Sequence, residues 1–234
     1  MGIKKYAVIV AGGSGTRMKS WIPKQFLLLK GRPILMHTLE AFHAADPQTI
    51  LILALPESHF DTWYSLCKTH HFTLPVTLVK GGETRFESVS NSLAHVDKGG
   101  YVAVHDAVRP LVTSTLINKL FEAVLENKAV IPCIEVTESL RKVDDERNTG
   151  VDRSNFRIVQ TPQCFSSSIL KEAYKLSYRP EFTDDASVVE ASGESLHIVE
   201  GERYNIKITT PEDLQFAEFR LAHRSHEKAD LPAE

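Results

Sequence analysis

The stretch YAVIVAGGSGTRMKSWIPKQ, Tyr6 to Gln25, begins with five apolar or aromatic residues and turns at once into glycine, hydroxyl and cation. Its first part reads as a buried strand. A glycine loop between a strand and a helix lies at the carboxyl edge of an α/β sheet, where such folds bind ligands. Glycines let backbone N–H groups approach anionic oxygens closely. Ala11, Gly12, Gly13 and Gly15 are therefore candidate phosphate-holding positions, with Arg17 and Lys24 supplying charge. Two other phosphate loops are excluded. Met18 stands where a dinucleotide fingerprint needs its third glycine, and no Gly-Lys-Ser/Thr follows for a Walker A loop. Pro23 stiffens the approach to Lys24, and a fixed cation suits a phosphoryl group whose charge develops during reaction. In isolation the same residues also suit a tight turn with solvated cations.

Outward from this loop, short apolar runs recur at Tyr6 to Val10, Ile50 to Leu55, Val76 to Val79, Tyr101 to His105 and Ala129 to Ile134, and each reads as a buried strand. Helical spacing fills Pro33 to Ala44, Glu57 to His70, Thr84 to Val96 and Ser114 to Asn127. The alternation predicts a three-layer α/β fold with a mostly parallel sheet. Two further helices are expected at Ser166 to Leu176 and Asp184 to Ala191, and a last one, capped by Thr210, from Pro211 to Ala222. Residues 135–155 break the pattern with a polar, charged run and a turn-like RNTG, which reads as a protruding hairpin arm or equally as a long surface loop.

The 234 residues are expected to form one domain that buries a core without disulfides or metal. With 27 cationic against 30 anionic side chains, no global attraction to nucleic acid or an acidic membrane is expected. Cys67, Cys133 and Cys164 are odd in number and lack C-x-x-C spacing, so a reducing compartment fits best. No secretory signal and no membrane-length apolar run is present, so the expected location is the cytoplasm.

Three further motifs sit at predicted strand ends. GGETRFESV, Gly81 to Val89, reads locally as a turn and the start of a helix, with Thr84 or Glu83 helping there. VHDAVRP, Val104 to Pro110, places Asp106 where a carboxylate can meet ribose hydroxyls or a Mg²⁺ carried mainly by a triphosphate, although an Asx turn suits the local residues as well. In YNIKITTPEDL, Lys207 falls within a predicted short strand before the last helix, a setting in which a lysine is usually a solvated edge residue.

Together with PKQF, VDR, TPQCF and TDDAS, these ordered motifs resemble the polyol-phosphate cytidylyltransferases, which are sugar-nucleotide type nucleotidyltransferases. The resemblance runs from about Tyr6 to Ala222. It implies a Rossmann-like nucleotidyltransferase fold with a protruding β-arm at 135–155, a homodimer, and a divalent cation, Mg²⁺ or another. The implied reaction is CMP transfer from CTP to 2-C-methyl-D-erythritol 4-phosphate in non-mevalonate isoprenoid biosynthesis. Ribitol 5-phosphate is the alternative acceptor, and a nucleotide-binding module that has lost catalysis is a more distant one. By the resemblance, Arg17, Lys24 and Lys207 are the catalytic cations. Gly82, Glu83, Ser88, Asp106 and Ala107 lie along the nucleotide. Arg109, Thr161 and Thr183 face the acceptor, Arg153 reaches the acceptor phosphate across the dimer interface, and Ser139 of TESLRK, or Thr137 in an alternative alignment, occupies an acceptor position where many relatives have threonine. No metal spacing is assigned to the histidines.

Overall fold

The computed structural model describes residues 3–12, 22–144 and 146–227, so Gly13, Gly15 and Arg17 lie outside the described residues. The elements run β1 (Lys5–Val10), β2 (Leu28–Leu29), β3 (Arg32–Pro33), α1 (Ile34–Ala45), β4 (Ile50–Leu55), α2 (Phe60–Thr69), β5 (Val76–Lys80), α3 (Arg85–Leu93), β6 (Tyr101–Asp106) and α4 (Ser114–Asn127). There follow β7 (Ala129–Glu135), β8 (Leu140–Val143), β9 (Asn148–Val151), β10 (Arg157–Val159), β11 (Gln163–Ser166), α5 (Ser167–Ala173), α6 (Asp185–Ala191), β12 (His197–Glu200) and α7 (Pro211–Glu227).

Strands β6, β1, β4 and β5 lie side by side and parallel. Beyond β6 the sheet becomes mixed. β11 runs antiparallel between β6 and β7, and β12 runs parallel on the far edge of β7. β10 and β11 share one edge of β7, because Val130 pairs with both Cys164 and His197 while Cys133 pairs with both Val159 and Glu200. They form one line broken at Gln160 to Pro162, where proline has no N–H to give a ladder. From β1 the chain moves one way to β4 and β5, then returns to lay β6 on the other side of β1. Ligands bind outside the carboxyl ends of strands at such a reversal.

The two faces of the sheet bury separate cores, which makes three layers. Ala7 and Ile9 of β1 pack with Leu39, Phe42, Trp63 and Leu120 on one face. Tyr6 and Val8 point the other way, onto Phe86, Val89, Leu170 and Val189. The alternation is the pleat itself, and each fully buried large apolar side chain contributes roughly 1.5–3 kcal/mol. A third cluster of Leu29, Ile34, Val108, Leu111, Ile208 and Ala217 fastens α7 and the segment before it beside β6.

Several expectations need correction. Lys207 is not in a strand: among the described residues its segment joins no ladder, and Ile208 N–H donates to the Val108 carbonyl at 2.9 Å. Ser166 closes β11 and caps α5, its hydroxyl accepting from Ile169 N–H, instead of lying inside the helix. The expected helix from Glu57 opens as a tight 3-10 turn at Glu57–His59 before α2. The last helix extends to Glu227, and Thr210 does cap it by accepting from Asp213 N–H at 3.3 Å. The arm is a hairpin: among the described residues β8 and β9 pair only with each other, and both are largely exposed.

Candidate active site

Three loops leave the parallel strands at one edge, and each continues the ladder for one residue. Ala11 N–H donates to Ala54 O at 2.9 Å, Gly81 N–H to Leu55 O at 2.9 Å, and Ala107 N–H to Val10 O at 3.0 Å. Between them opens a cleft of about 400 Å³ whose lining includes Ala11, Gly12, Lys24, Gly82, Glu83 and Lys207. Ser88, Asp106 and Ala107 complete that side, so the described nucleotide candidates converge here.

Local chemistry fixes each wall. Thr84 accepts from Glu87 N–H, while the Glu87 carboxylate accepts from the N–H groups of Glu83 at 2.7 Å and Thr84 at 3.1 Å, closing a capping box at the start of α3. The buried Ser88 hydroxyl donates to Thr84 O at 2.9 Å and accepts from Gly82 N–H at 3.1 Å. Glycine is required at 82, since a Cβ there would lie 2.2 Å from Glu87 Cβ. On the opposite wall, the buried Gln25 donates to Ala11 O at 2.9 Å and so ties the short turn carrying Lys24 to the end of β1.

Asp106 is the electrostatic centre. Its carboxylate meets Lys207 Nζ at 3.1 Å, Arg109 Nε at 3.2 Å and Arg85 Nε at 3.7 Å. Burial alone would raise its pKa, but Arg85, Lys207 and Arg109 together outweigh burial and hold it well below the usual carboxylate range. Arg85 also pairs with the fully buried Asp185 at 2.6 Å. Burial works against its charge, yet Asp185 and Asp106 more than compensate and raise its pKa further. Lys207 is held from both sides, by the buried Asn205 two residues before it and by the buried Ile208 after it.

A second cleft of about 170 Å³ adjoins the first and contains Arg109, Thr161 and Thr183. Arg85, Asp106 and Lys207 line both clefts and form the seam between them. Ser139 and Arg153 are not brought to either cleft within the chain. Both are exposed on the arm, where Arg153 donates to the Thr137 carbonyl. The sequence reading missed Arg85 and Gln25 as site residues. GGETR and PKQF contained both, but what gives them weight is contact with Asp106, Asp185 and Ala11, distant in sequence.

Among the described residues no three His, Cys, Asp or Glu side chains cluster to hold a metal. Asp106, hemmed by three cations, is a poor metal site by itself. It fits a divalent ion that arrives already bound to a polyphosphate. Among the described residues, no helix is long and apolar enough to cross a membrane.

A mostly parallel α/β sheet, a polar cleft at its point of reversal, and several cations gathered about one carboxylate define a nucleotidyltransferase. Residues 5–223 match the family described as IspD: 2-C-methyl-D-erythritol 4-phosphate cytidylyltransferase. The enzyme of that name from Bacteroides thetaiotaomicron is 51% identical over 213 residues, 91% of this chain and 97% of its own length. The crystal structure of the Thermus thermophilus enzyme superposes with a TM-score of 0.75 at 32% identity, covering 93% of this chain and 98% of the other. That of 4-diphosphocytidyl-2C-methyl-D-erythritol synthase from Anaerococcus prevotii gives 0.79 at 28% identity, covering 94% and 99%. The chain belongs to the 2-C-methyl-D-erythritol 4-phosphate cytidylyltransferase family.

Proposed function

We propose that this chain transfers the cytidylyl group of CTP to 2-C-methyl-D-erythritol 4-phosphate, in isoprenoid precursor biosynthesis, by direct in-line displacement. An acceptor phosphate oxygen forms a bond to the α-phosphorus, the bond to the bridging oxygen breaks, and pyrophosphate leaves with that electron pair. The acceptor is already anionic near neutral pH, so no strong general base is required. What the reaction needs is a device that holds two anions together and stabilises the charge of the transition state. The observation that carries the reading is the seam, where Lys207 and Arg85 meet Asp106 between a larger and a smaller cleft.

In this reading the larger cleft takes CTP. Gly82, Glu83 and Ser88 face the base, Asp106 and Ala107 face the ribose, and Ala11 and Gly12 face the phosphates, a role that the resemblance also gives to Gly13 and Gly15. Lys24 and Lys207, with Arg17, carry the transition-state charge. Arg109, Thr161 and Thr183 hold the acceptor. A divalent cation, Mg²⁺ or another, would arrive on the triphosphate with Asp106 as the carboxylate available to it, and would supply neutralisation of developing phosphate charge.

The active form is a homodimer. Arg153 and Ser139 sit on an exposed arm outside the clefts, so a second copy is what brings them to an acceptor site. The arm and the neighbouring edge also expose Val143, Phe156, Ile158 and Ile198, apolar surface that a second copy covers. The expected location is the cytoplasm.

The test is pyrophosphate release from CTP and Mg²⁺ with 2-C-methyl-D-erythritol 4-phosphate or ribitol 5-phosphate in parallel. Turnover with the first and little with the second is expected. Preference for ribitol 5-phosphate overturns the acceptor assignment, and CTP binding without pyrophosphate release for either overturns the transferase reading.

A further inference from the structure

Beneath the two clefts lies a closed circuit of hydrogen bonds that the roles above leave unexplained. His105 is fully buried at the end of β6, with its ring edge-on to Phe42. Its Nε2 is 3.1 Å from the Arg109 carbonyl. A carbonyl only accepts, so Nε2 carries the proton and Nδ1 is the acceptor. Thr161 Oγ1, 3.0 Å from Nδ1, therefore donates to it, while its lone pair accepts from Asp106 N–H at 3.1 Å. The Thr161 carbonyl accepts from Asn205 Nδ2 at 2.8 Å, and the Asn205 carbonyl accepts from Arg109 Nη1 at 2.8 Å. The path has returned to Arg109.

The circuit joins three segments that local sequence does not connect: the end of β6, the break between β10 and β11, and the stretch before α7. A second tie runs alongside it. Gln160 donates to the Glu202 carbonyl at 2.8 Å and accepts from Glu202 N–H at 3.1 Å. Each member of the circuit touches or neighbours a reacting group. Arg109 and Thr161 line the smaller cleft, Asp106 receives its backbone anchor from Thr161, and Asn205 precedes Lys207 by two residues.

We propose that His105 and Asn205 are positioning residues for the transfer: through this circuit they fix the acceptor-side pair Arg109 and Thr161 relative to Asp106 and Lys207 at the seam. The proposal rests on the acceptor-side reading of Arg109 and Thr161. Buried polar networks of this kind act as units, and a displacement of about 1 Å in a positioned group can cost a 100-fold loss of rate. His105→Gln keeps a donor toward Arg109 but loses the acceptor for Thr161. Asn205→Ala loses the donor to the Thr161 carbonyl, and Asn205→Asp, which keeps the shape without that donor, matches it.

The test is a double-mutant cycle of His105→Gln and Asn205→Ala with KM measured separately for CTP and the polyol phosphate. Leu120→Ala, a core change away from the circuit, controls for lost stability. Each circuit variant is expected to raise the polyol phosphate KM about tenfold while changing that for CTP less than about twofold, and the double variant is expected to be no worse than the poorer single one. Leu120→Ala lowers Tm without that asymmetry. In the unmodified protein, ¹⁵N spectra of His105 show the Nε2–H tautomer. Additive effects, equal rises for both substrates, or an Nδ1–H tautomer overturn the proposal. An Arg109→Ala variant with an unchanged polyol phosphate KM instead overturns the acceptor-side reading, and the proposal with it. Failure of the cycle while Arg109→Ala does raise that KM overturns the circuit alone.

Discussion

Lys207 Nζ lies 3.1 Å from Asp106 Oδ2, an ion pair that joins the segment before α7 to the end of β6 where the two clefts meet. Asp106 holds the ammonium at the seam before any substrate arrives, so its charge needs little reorganisation when phosphate enters. Lys207→Ala is expected to lower kcat by about 100-fold, roughly 3 kcal/mol of transition-state stabilisation, with a smaller change in KM for CTP. Steady-state pyrophosphate release at saturating substrates checks this. An unmutated rate removes Lys207 from the chemistry.

Much of this architecture is legible in the chain, but unevenly. β1, β4 and β6 announce themselves because they are buried on both faces and read as continuous apolar runs. α4 ends where its periodicity ends, and Thr113 caps it. β10, β11 and β12 escape notice because each has only three or four residues and gains its strand character from pairing with β7, a contact between distant segments. Apolar and polar residues alternate around Lys207, which predicts a strand there. That alternation comes from Ile206 and Ile208 packing onto the cluster beside Val108 and Leu111, not from a ladder. By sequence Arg85 is an ordinary first-turn residue, and only its pairing with Asp185 and Asp106 reveals it. The acids of TDDAS likewise turn out to be braces: Asp184 caps α6, and Asp185 holds Arg85.

The turn at Gly82 makes a separate prediction about nucleotide binding. A methyl group there meets Glu87 Cβ and disrupts the box that starts α3. Gly82→Ala is expected to destabilise the protein by about 1–3 kcal/mol and to raise KM for CTP. Ser88→Ala removes the acceptor of Gly82 N–H and is expected to raise KM for CTP by roughly tenfold, on the scale of one buried hydrogen bond. Calorimetric melting together with CTP saturation curves checks both. A normal CTP KM in both variants removes this turn from the nucleotide site.

Arg85 is predicted to matter for stability as much as for the site. Asp185 is fully buried and has two partners, Arg85 at 2.6 Å and the Tyr174 hydroxyl, which donates to it at 2.7 Å. Arg85→Met leaves that carboxylate without its cation and is expected to cost about 3–5 kcal/mol. The double change Arg85→Met with Asp185→Asn is expected to recover a substantial part of the loss, because no buried charge is then stranded. Chemical denaturation of both variants is the measurement. A double variant less stable than Arg85→Met alone contradicts the argument.

The last prediction concerns acid. Burial lowers the pKa of His105 from 6.5 to about 3; Asp106 and the hydrogen bond to the Arg109 carbonyl pull it upward, Arg109 and Arg85 downward, and burial prevails. The folded protein thus keeps this ring neutral while the unfolded chain takes up a proton near the ordinary histidine value. Between pH 6.5 and about 3 the unfolded state binds more protons at this position, so stability falls as pH falls through that window and is unaffected above it. The limiting slope is about 1.4 kcal/mol per pH unit for one fully withheld proton. Asp106 acts in the same direction at lower pH: its depressed pKa gives stability that is present above the usual carboxylate range and lost as pH drops toward the folded value. His105→Gln is expected to be less stable at neutral pH, having lost the Thr161 bond, yet to lose less on acidification. Its stability curve should converge toward that of the unmodified protein as pH falls from 6.5 toward about 3, the interval in which the linkage acts. Urea denaturation at a series of pH values measures this. Parallel curves would mean that the His105 ring takes up its proton in the folded protein as readily as in the unfolded chain, contrary to its burial and its two hydrogen bonds.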